Sequence, residues 1–320
     1  MQQLGIDIAK DKFDVALVID ANADPIRFKM KSFSNSIGGF AKLTDWIGAK
    51  ASGPVHVCME ATGSYWEQLA EHLCDAGLLV SVVNPAPIKK ESESWSMRNK
   101  TDEVDARMIA RFCLAKRPRP WVAPAPEVRQ LRDLVRHLQT LEDEKQAHLN
   151  RLGVTTSEAI VGSLEQLIGF LDEQIRLLEE QISEHIDRHP RLKRACELLS
   201  SVKGIGMKTA AVIAAEMPDV SNFSSSKAAV AYAGLSPKRM TSGKFVGQTK
   251  LCKMGNSRLR KALYFPALVA VRFNPVISEF YLRLRRNGKT KMSAIGACMR
   301  KMLAIAYGVL KTDTPFKVPV

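Results

Sequence analysis

The feature that most constrains the fold is a change of pattern at a proline-rich segment, RPRPWVAPAPE, at residues 117–127. The segment itself fits either a linker or an extended crossing. Before it, β-rich runs alternate with helical patterns, and LGIDI and FDVALVID predict a hairpin within residues 3–20. Further elements are predicted as strands at 54–60 and 78–84 and helices at 65–76 and 101–115. Strands interleaved with helices indicate an α/β domain.

Two long helices are predicted after the proline-rich segment, at residues 128–152 and 164–186. In the second helix, apolar residues are spaced alternately four and three apart, which is the heptad pattern of a coiled coil. They are Leu164, Ile168, Leu171, Ile175, Leu178 and Ile182. The pattern fits either a coiled coil between copies of the chain or a helical hairpin with the preceding helix. The sequence leaves both open.

These patterns divide the chain into three predicted parts. Residues 1–125 form an α/β domain, residues 126–190 a helical or coiled-coil region, and residues 191–320 a mainly α-helical domain. The last part includes a loop-like stretch rich in glycine and serine at residues 234–255. The six cysteines are far apart and form no CxxC pair, so they indicate neither a disulfide framework nor a zinc site.

The positive charge of the chain is concentrated in one segment. The formal net charge is +14, and residues 220–312 contain eighteen Lys and Arg but a single acid, Glu279. Such a segment is typical of proteins that bind nucleic-acid backbones, because each neutralised phosphate releases a counterion. A basic surface that only maintains solubility and a membrane-surface segment are the alternatives. Since no apolar run has the length of a spanning helix and no export signal is recognisable, we expect a cytoplasmic protein.

Four carboxylates occupy positions that favour a metal site. Asp7 lies within the first predicted strand, and Glu60 ends a later strand. Asp102 and Asp105 are three residues apart at the start of a predicted helix, so both project from one face. Acids there also complement the helix macrodipole, but that explanation does not cover the two strand residues. Converging carboxylates would need a multivalent cation such as Mg²⁺ or Mn²⁺, and two such ions support phosphoryl transfer.

A glycine motif in the last third of the chain indicates contact with phosphates. GIG at residues 204–206 separates two helical runs and is flanked by Lys203, Lys208 and Thr209. This arrangement is typical of a helix-hairpin-helix, in which glycines allow backbone N–H groups to approach a phosphate. An ordinary helix pair broken by glycine is the alternative.

The stretch that follows, residues 232–263, contains eight Lys and Arg and no acid. Its TSGK, at residues 241–244, places the hydroxyl of Ser242 beside a flexible glycine and a lysine. No histidine is close enough in sequence to act as its base, so the spacing alone does not identify a nucleophile.

A series of sequence motifs extends along essentially the whole chain. They are GIDIAKDKFDVA, MEATGSYW, VVNP, KTDEVDARMIA, LSSVKGIGMKTA, AYAGLSP, TSGK and KMGNSRLRKALY. In this order they resemble the transposases of the insertion sequence one-ten family, whose relatives include the pilin-gene DNA invertases. An actin-like sugar kinase also opens with a strand Asp, but it requires a glycine where this chain has Ala9.

The resemblance implies a fold, a metal set and a nucleophile. The N-terminal domain would have the RuvC-like, ribonuclease-H-like fold, with the DEDD set on Asp7, Glu60, Asp102 and Asp105 binding Mg²⁺. Ser242 would be the nucleophile and would become joined to DNA as a phosphoserine. A structured noncoding bridge RNA would specify donor and target DNA, and tetramers would combine RuvC-like and serine domains from different subunits. A bacterial, nucleoid-associated location is implied as well.

A set of residues in the basic part is expected to contact nucleic acid. The set is Lys203, Gly204, Gly206, Lys208, Thr209, Lys238, Arg239, Lys244, Lys253, Arg258, Arg260 and Lys261. Two other functions stay open at this point. One is a RuvC-like Holliday-junction resolvase or nuclease that uses water as nucleophile, and the other is a nucleic-acid-binding protein without catalytic activity.

Overall fold

The computed structural model describes residues 1–61, 63–94, 102–238, 241–242, 245–246 and 250–318, and of these it describes the backbone alone at 92–94, 102–103, 241–242, 245–246 and 250. The chain forms two compact units, Met1–Ala123 and Pro124–Val320. The first is a mixed α/β unit and the second is mostly helical.

In its described residues, the first unit contains a five-stranded sheet and four helices. Its elements in chain order are β1 (Gln2–Ile8), β2 (Lys12–Asp20), β3 (Arg27–Ser34), α1 (Ile37–Lys50), β4 (Val55–Glu60), α2 (Glu67–Asp75), β5 (Leu79–Val83), α3 (Pro85–Ser94) and α4 (Asp102–Lys116). The strand order is β3-β2-β1-β4-β5. β2 pairs antiparallel with both β1 and β3, whereas β4 pairs parallel with both β1 and β5. The predicted hairpin and the two later strands are confirmed; β3, α1 and α3 lie outside the predicted elements.

Different helices cover the two faces of the sheet, because side chains alternate along each strand. Ile6, Val15 and Met59 belong to the face that packs against α1 and α2. Gly5 belongs to the opposite face, where α4 crosses β1. A Cβ at Gly5 would lie 2.9 Å from the Cα of Ala110, closer than side chains are tolerated. The missing side chain therefore fixes how closely α4 approaches the sheet.

The proline-rich segment crosses the edge strand β5. The backbone N–H of Trp121 donates to the carbonyl oxygen of Val80 at 2.7 Å. The hydroxyl oxygen of Ser81 lies 3.0 Å from the Pro118 carbonyl oxygen and 2.9 Å from that of Arg119. Of the two interpretations that the sequence allows, this part of the segment is the extended crossing.

The second unit is built around one helical core. Its helices are α5 (Pro126–Leu152), α6 (Glu158–Arg188), α7 (Pro190–Ser200), α8 (Met207–Glu216), a 3-10 turn (Val220–Asn222), α9 (Ser226–Tyr232), α10 (Ser257–Ala262), α11 (Tyr264–Phe273), α12 (Pro275–Arg286) and α13 (Lys291–Thr312). The residues described between α9 and α10 include four two-residue strands: β6 (Pro237–Lys238), β7 (Thr241–Ser242), β8 (Phe245–Val246) and β9 (Lys250–Leu251). β6 pairs with β9 and β7 with β8, both antiparallel. The predicted boundary between residues 190 and 191 stays a prediction.

The two long helices α5 and α6 pack against each other as a hairpin. The heptad residues Leu171, Leu178 and Ile182 are buried. Leu178 and Ile182 share a core with Leu131 and Val135 of α5. The heptad seam is therefore used within the chain, which is one of the two arrangements that the sequence leaves open.

The last helix, α13, has the length and composition of a membrane span, with a mean hydropathy of 1.3 over its most apolar window. However, 56% of that window is buried inside the protein. Cys298, Met302 and Ala306 lie in the core of the second unit, so packing explains the apolar composition. The cytoplasmic location stays a prediction.

Candidate functional site

The sheet register places the two strand carboxylates, Asp7 and Glu60, side by side. β1 and β4 are parallel, and Ile6 pairs with Met59. Asp7 and Glu60 come one residue later on each strand, so they occupy adjacent positions on the face opposite to that of Ile6 and Met59. This is the face that α4 covers.

α4 brings the other two predicted carboxylates towards the same edge of the sheet. Its C-terminal part lies near the beginning of β4, since Cys113 Sγ lies 3.7 Å from the His56 carbonyl oxygen. Its middle crosses Gly5, further along the sheet. The helix therefore runs antiparallel to β1 and β4, and its first turn, with Asp102 and Asp105, points towards the ends of these strands. The side chain of Asp102 lies outside the described residues.

The metal site itself is not assembled by the described residues. Among the side chains that the structure describes, no three His, Cys, Asp or Glu are grouped closely enough to hold a metal ion. Asp7, Glu60 and Asp105 belong to that described part, whereas the Asp102 side chain does not. The donor chemistry fits a hard cation, because Mg²⁺ and Mn²⁺ prefer carboxylate oxygens. The four-ligand set stays a prediction.

A fifth acid, Asp14, lies on the same face and was not among the predicted site residues. In the antiparallel pair of β1 and β2, Asp14 is directly opposite Asp7. Asp14 is only 4% exposed. Lys12 Nζ donates to one carboxylate oxygen at 3.2 Å, and the hydroxyl of Ser32 donates to the other. The signal was available in the sequence, because alternation along FDVALVID places this acid opposite the buried Phe13 face.

The predicted glycine hairpin joins α7 to α8. Gly204 has a φ of 108°, which favours glycine. A Cβ there would lie 2.8 Å from the Cβ of Ala270 and 2.9 Å from the carbonyl oxygen of Pro266. Close packing against α11 therefore explains this glycine without a phosphate. Gly206 has open space around it, and Lys203 beside the turn is exposed. The helix-hairpin-helix function stays a prediction.

Two lysines of the predicted nucleic-acid set are already engaged by acids of the α5–α6 hairpin. Lys208 Nζ pairs with Glu142, and with Glu179 at 2.9 Å. Partial burial lowers the pKa of Lys208, but the hydrogen bonds with these two carboxylates outweigh burial and raise its pKa overall. Lys261 Nζ lies 2.8 Å from both carboxylate oxygens of Asp143. Such exposed pairs are weak and can exchange for a phosphate. Thr209, next to Lys208, is partly buried.

Arg260 and Lys253 brace the loop on either side of the short strands. Arg260 Nη1 donates to the carbonyl oxygens of Ala233 at 3.0 Å and Lys253 at 3.2 Å. Lys253 has a left-handed φ of 58°, and its N–H donates to the Gly234 carbonyl oxygen at 3.0 Å. The guanidinium of Arg260 thus has a structural task in addition to any contact with nucleic acid.

Ser242 is at the end of β7, and Ser242 pairs with Phe245 across the β7–β8 hairpin. The structure describes its backbone but not its side chain. Arg239 and Lys244 lie outside the described residues, and Lys238 is exposed at the end of β6. The role of Ser242 as a nucleophile therefore stays a prediction.

A groove with a volume of about 680 Å³ lies between α5 and the helices α10 and α11 of the second unit. Residues that matter for its chemistry are Arg136, His137, Arg258, Lys261, Tyr264 and Met299. Arg258 and Lys261 are among the residues predicted from the sequence, whereas the contribution of α5 is not, because α5 is distant from α10 in sequence.

A buried carboxylate, Glu216, holds the groove together. Its side chain accepts hydrogen bonds from Arg136 Nε at 2.6 Å and from Asn256 Nδ2 at 2.8 Å. Burial raises the pKa of Glu216, but the hydrogen bonds from Arg136 and Asn256 and the charge of Arg258 outweigh burial, so its pKa lies below the ordinary value. Asn256 Oδ1 also accepts the N–H of Leu259 and so caps α10. This network ties α5, α8 and α10 together.

Comparison with known proteins relates this arrangement to a family. Residues 4–156 match the family model of the DEDD transposases of IS110, that is, insertion sequence one-ten. Residues 196–282 match the model described as transposase, IS116/IS110/IS902 family. A pilin gene-inverting protein of Moraxella bovis is 33% identical over 319 residues, which cover 98% of this chain and 97% of the relative. The chain belongs to the IS110 family of transposases.

Further relatives agree with this assignment of the IS110 transposase. The pilin gene-inverting protein of Moraxella lacunata is also 33% identical over 319 residues. An uncharacterized IS110 protein of Streptomyces coelicolor is 29% identical over 162 residues, covering 51% of this chain and 39% of the relative. The family is one of DNA-rearranging enzymes. The predicted carboxylates lie within the first matched region and Ser242 within the second.

Proposed function

We propose that this IS110 transposase cuts and rejoins DNA strands as a site-specific recombinase, with Asp7, Glu60, Asp102 and Asp105 as its metal-binding carboxylates and Ser242 as its nucleophile. The observation that supports the proposal most is the shared face of Asp7 and Glu60, at the edge towards which the first turn of α4 points. Relatives along nearly the whole chain are named as inverting proteins, so inversion is included with insertion as a native event.

In the proposed reaction, the hydroxyl oxygen of Ser242 attacks a phosphorus atom of the DNA backbone and displaces the 3′ oxygen of the broken strand. The hydroxyl proton passes to solvent, and the 3′ oxygen takes up a proton. The phosphoserine retains the phosphodiester energy, so a new 3′ hydroxyl can attack the same phosphorus and release Ser242. The four carboxylates would hold Mg²⁺, which supplies positive charge to the reacting phosphate.

A bridge RNA and an oligomer are part of the proposal. The basic segment 220–312 supplies many of the cations needed for the backbones of both DNA and RNA. For assembly, α6 carries a second apolar stripe on its exposed side, which we name the outer stripe: Ile160, Leu167, Phe170 and Leu177. Its spacing follows a heptad, so it fits a helix from another copy and supports a dimer or tetramer.

The first experiment is a strand-exchange assay on plasmid DNA that carries the ends of the element, with the RNA transcribed from the element and with Mg²⁺. We expect Asp7→Asn and Asp105→Asn to lose strand exchange but retain nucleic-acid binding. Asp45→Asn, an exposed acid of α1 on the other side of the sheet, is the matched control and retains activity. A protein that only binds nucleic acid would show no difference among the three variants.

A further inference from the structure

The groove between α5 and α10–α11 has the size of a site for one small ligand. Its volume of about 680 Å³ lies within the range of about 300–1,000 Å³ that is usual for such pockets. An isolated phosphate would leave most of this space empty. A nucleotide, with its base, sugar and phosphate, uses it more fully.

The charges of the groove favour an anion. Arg258, Arg260 and Lys261 contribute cations, whereas Arg136 is paired with the buried Glu216. The acid among the lining residues is Asp143, which forms an ion pair with Lys261. Arg258 lowers the pKa of the buried Glu216 through its charge, but Arg258 itself is exposed to solvent. Its planar guanidinium can bind two oxygens of a phosphate at once.

The groove is held in shape before any ligand arrives. Glu216 is 4% exposed and accepts hydrogen bonds from two nitrogens of Arg136, Nε at 2.6 Å and Nη2 at 3.1 Å. The same carboxylate also accepts a hydrogen bond from the side chain of Asn256, and Asn256 caps α10, the helix that carries Arg258. Because α5 and α10 are fixed in this way, little ordering is required when a ligand binds.

An aromatic ring forms part of the wall. Tyr264 is partly exposed, and its ring is supported edge-on by Phe265, with centroids 5.3 Å apart and planes at 74°. An aromatic ring beside cations is the arrangement on which nucleobases stack while their phosphates are neutralised. A base that is paired within a duplex cannot enter a concave site without leaving its stack.

We propose that this groove binds one unpaired nucleotide of a polynucleotide strand, with Arg258 contacting the phosphate and Tyr264 stacking on the base. This inference rests on the proposed function only in that the protein handles nucleic acid. It identifies the class of ligand as a single strand or an unpaired position, in DNA or RNA.

The test measures equilibrium binding by fluorescence anisotropy with labelled oligothymidylate, oligouridylate and a DNA duplex, over a range of salt concentrations. We expect Tyr264→Leu to weaken binding of an unpaired strand about tenfold and Tyr264→Phe to bind as the wild type does. Arg258→Gln should reduce the slope of log affinity against log salt by about 0.7. Arg286→Gln, an exposed arginine at the end of α12 outside the groove, is the control whose change leaves the stacking contact intact.

Comparison of the two single strands identifies the source of the nucleotide, which is the strand whose binding is weakened more. Unchanged binding of both single strands by Tyr264→Leu and Arg258→Gln would overturn the inference. An equal loss on the duplex would overturn it too, because it would mean a general defect. Thermal unfolding of each variant shows whether the fold is kept, and the exposed Arg258 provides a readout even where Tyr264→Leu fails to fold.

This result is independent of the strand-exchange chemistry. Asp7→Asn should bind the oligonucleotides as the wild type does, because Asp7 belongs to the first unit and not to the groove. Normal binding by the groove variants together with loss of strand exchange in Asp7→Asn would refute nucleotide binding by the groove but would still support the proposed function. Loss of binding in the groove variants together with full activity of Asp7→Asn would support the groove and refute the proposed function.

Discussion

Asp14 lies directly opposite Asp7 in the antiparallel pair of β1 and β2. Two carboxylates in this relation repel each other, and the like-charge pair destabilises the sheet unless cations or donors compensate. For Asp14, the compensation comes from Lys12 Nζ at 3.2 Å and from the hydroxyl of Ser32. The sheet thus tolerates acids on neighbouring strands at the position where the DEDD set is proposed.

Removing the Asp14 carboxylate should destabilise the first unit. In Asp14→Ala, Lys12 and the exposed Ser32 lose their hydrogen bonds to the carboxylate, which costs about 1 kcal/mol of unfolding free energy. Urea denaturation measures this difference. The control is Asp11→Ala, an exposed acid in the turn before β2, which should stay close to the wild type. Equal stability of Asp14→Ala and the control would contradict the role given to Asp14.

Closing the space at Gly5 should displace α4. In Gly5→Ala the new methyl group meets the backbone of Ala106 and Ala110, so the helix must move away at a cost of about 1–3 kcal/mol. Strand exchange should fall as well, because α4 carries Asp105. Gly48→Ala in α1 is the matched control; its Cβ meets nothing within 4 Å, and alanine favours a helix by up to about 1 kcal/mol. A fully active, fully stable Gly5→Ala would show that the position of α4 does not depend on close packing against Gly5.

Breaking the buried pair of Glu216 and Arg136 should be costly and dependent on pH. Glu216→Gln removes the charge that pairs with Arg136 and should lower the unfolding free energy by about 3 kcal/mol at neutral pH. Since the folded-state pKa of Glu216 is below the ordinary value, its stabilisation is complete above the unfolded pKa of about 4.3. The stabilisation is lost as the pH falls through the lower folded-state pKa. Denaturation curves of both proteins should therefore converge in acid, and a constant difference there would contradict this assignment.

A charge in the outer stripe of α6 should weaken the oligomer. Phe170 is 60% exposed, so Phe170→Glu should leave the hairpin folded while it opposes the approach of a second copy. Sedimentation velocity should show a shift to smaller species. Ile37→Glu, at an even more exposed apolar residue of the first unit, serves as control and should sediment like the wild type. An unchanged oligomer in Phe170→Glu would show that assembly uses another surface.

Short β-rich runs were sufficient to predict β1, β2, β4 and β5, and most residues of the first three of these strands are buried. The heptad pattern was sufficient to predict α6, which buries one regular apolar face. β3 escaped prediction because it is an edge strand. Its lysines Lys29 and Lys31 are exposed, and the apolar alternation changes face at Phe33, which is the buried residue of the strand. Edge strands need little apolar burial, so their sequence signal is weak.

The candidate site was predictable only in part. The alternation of β1 and the helix spacing of Asp102 and Asp105 indicated the carboxylates, but their common edge depends on Gly5, whose effect on α4 is a tertiary contact. The groove joins Arg136 to Arg258 across more than a hundred residues, which no local pattern reveals. Ser242 was identified by family resemblance alone, since its neighbours in sequence supply no base.

The most direct measurement for the central claim is covalent attachment of the protein to DNA. Wild-type protein, element RNA, Mg²⁺ and end-labelled donor DNA are combined, and the products are separated under denaturing conditions and mapped by mass spectrometry. We predict a DNA adduct on Ser242 that disappears in Ser242→Ala, with DNA binding retained. Efficient DNA cleavage by Ser242→Ala without any adduct would contradict the account and favour a resolvase that uses water.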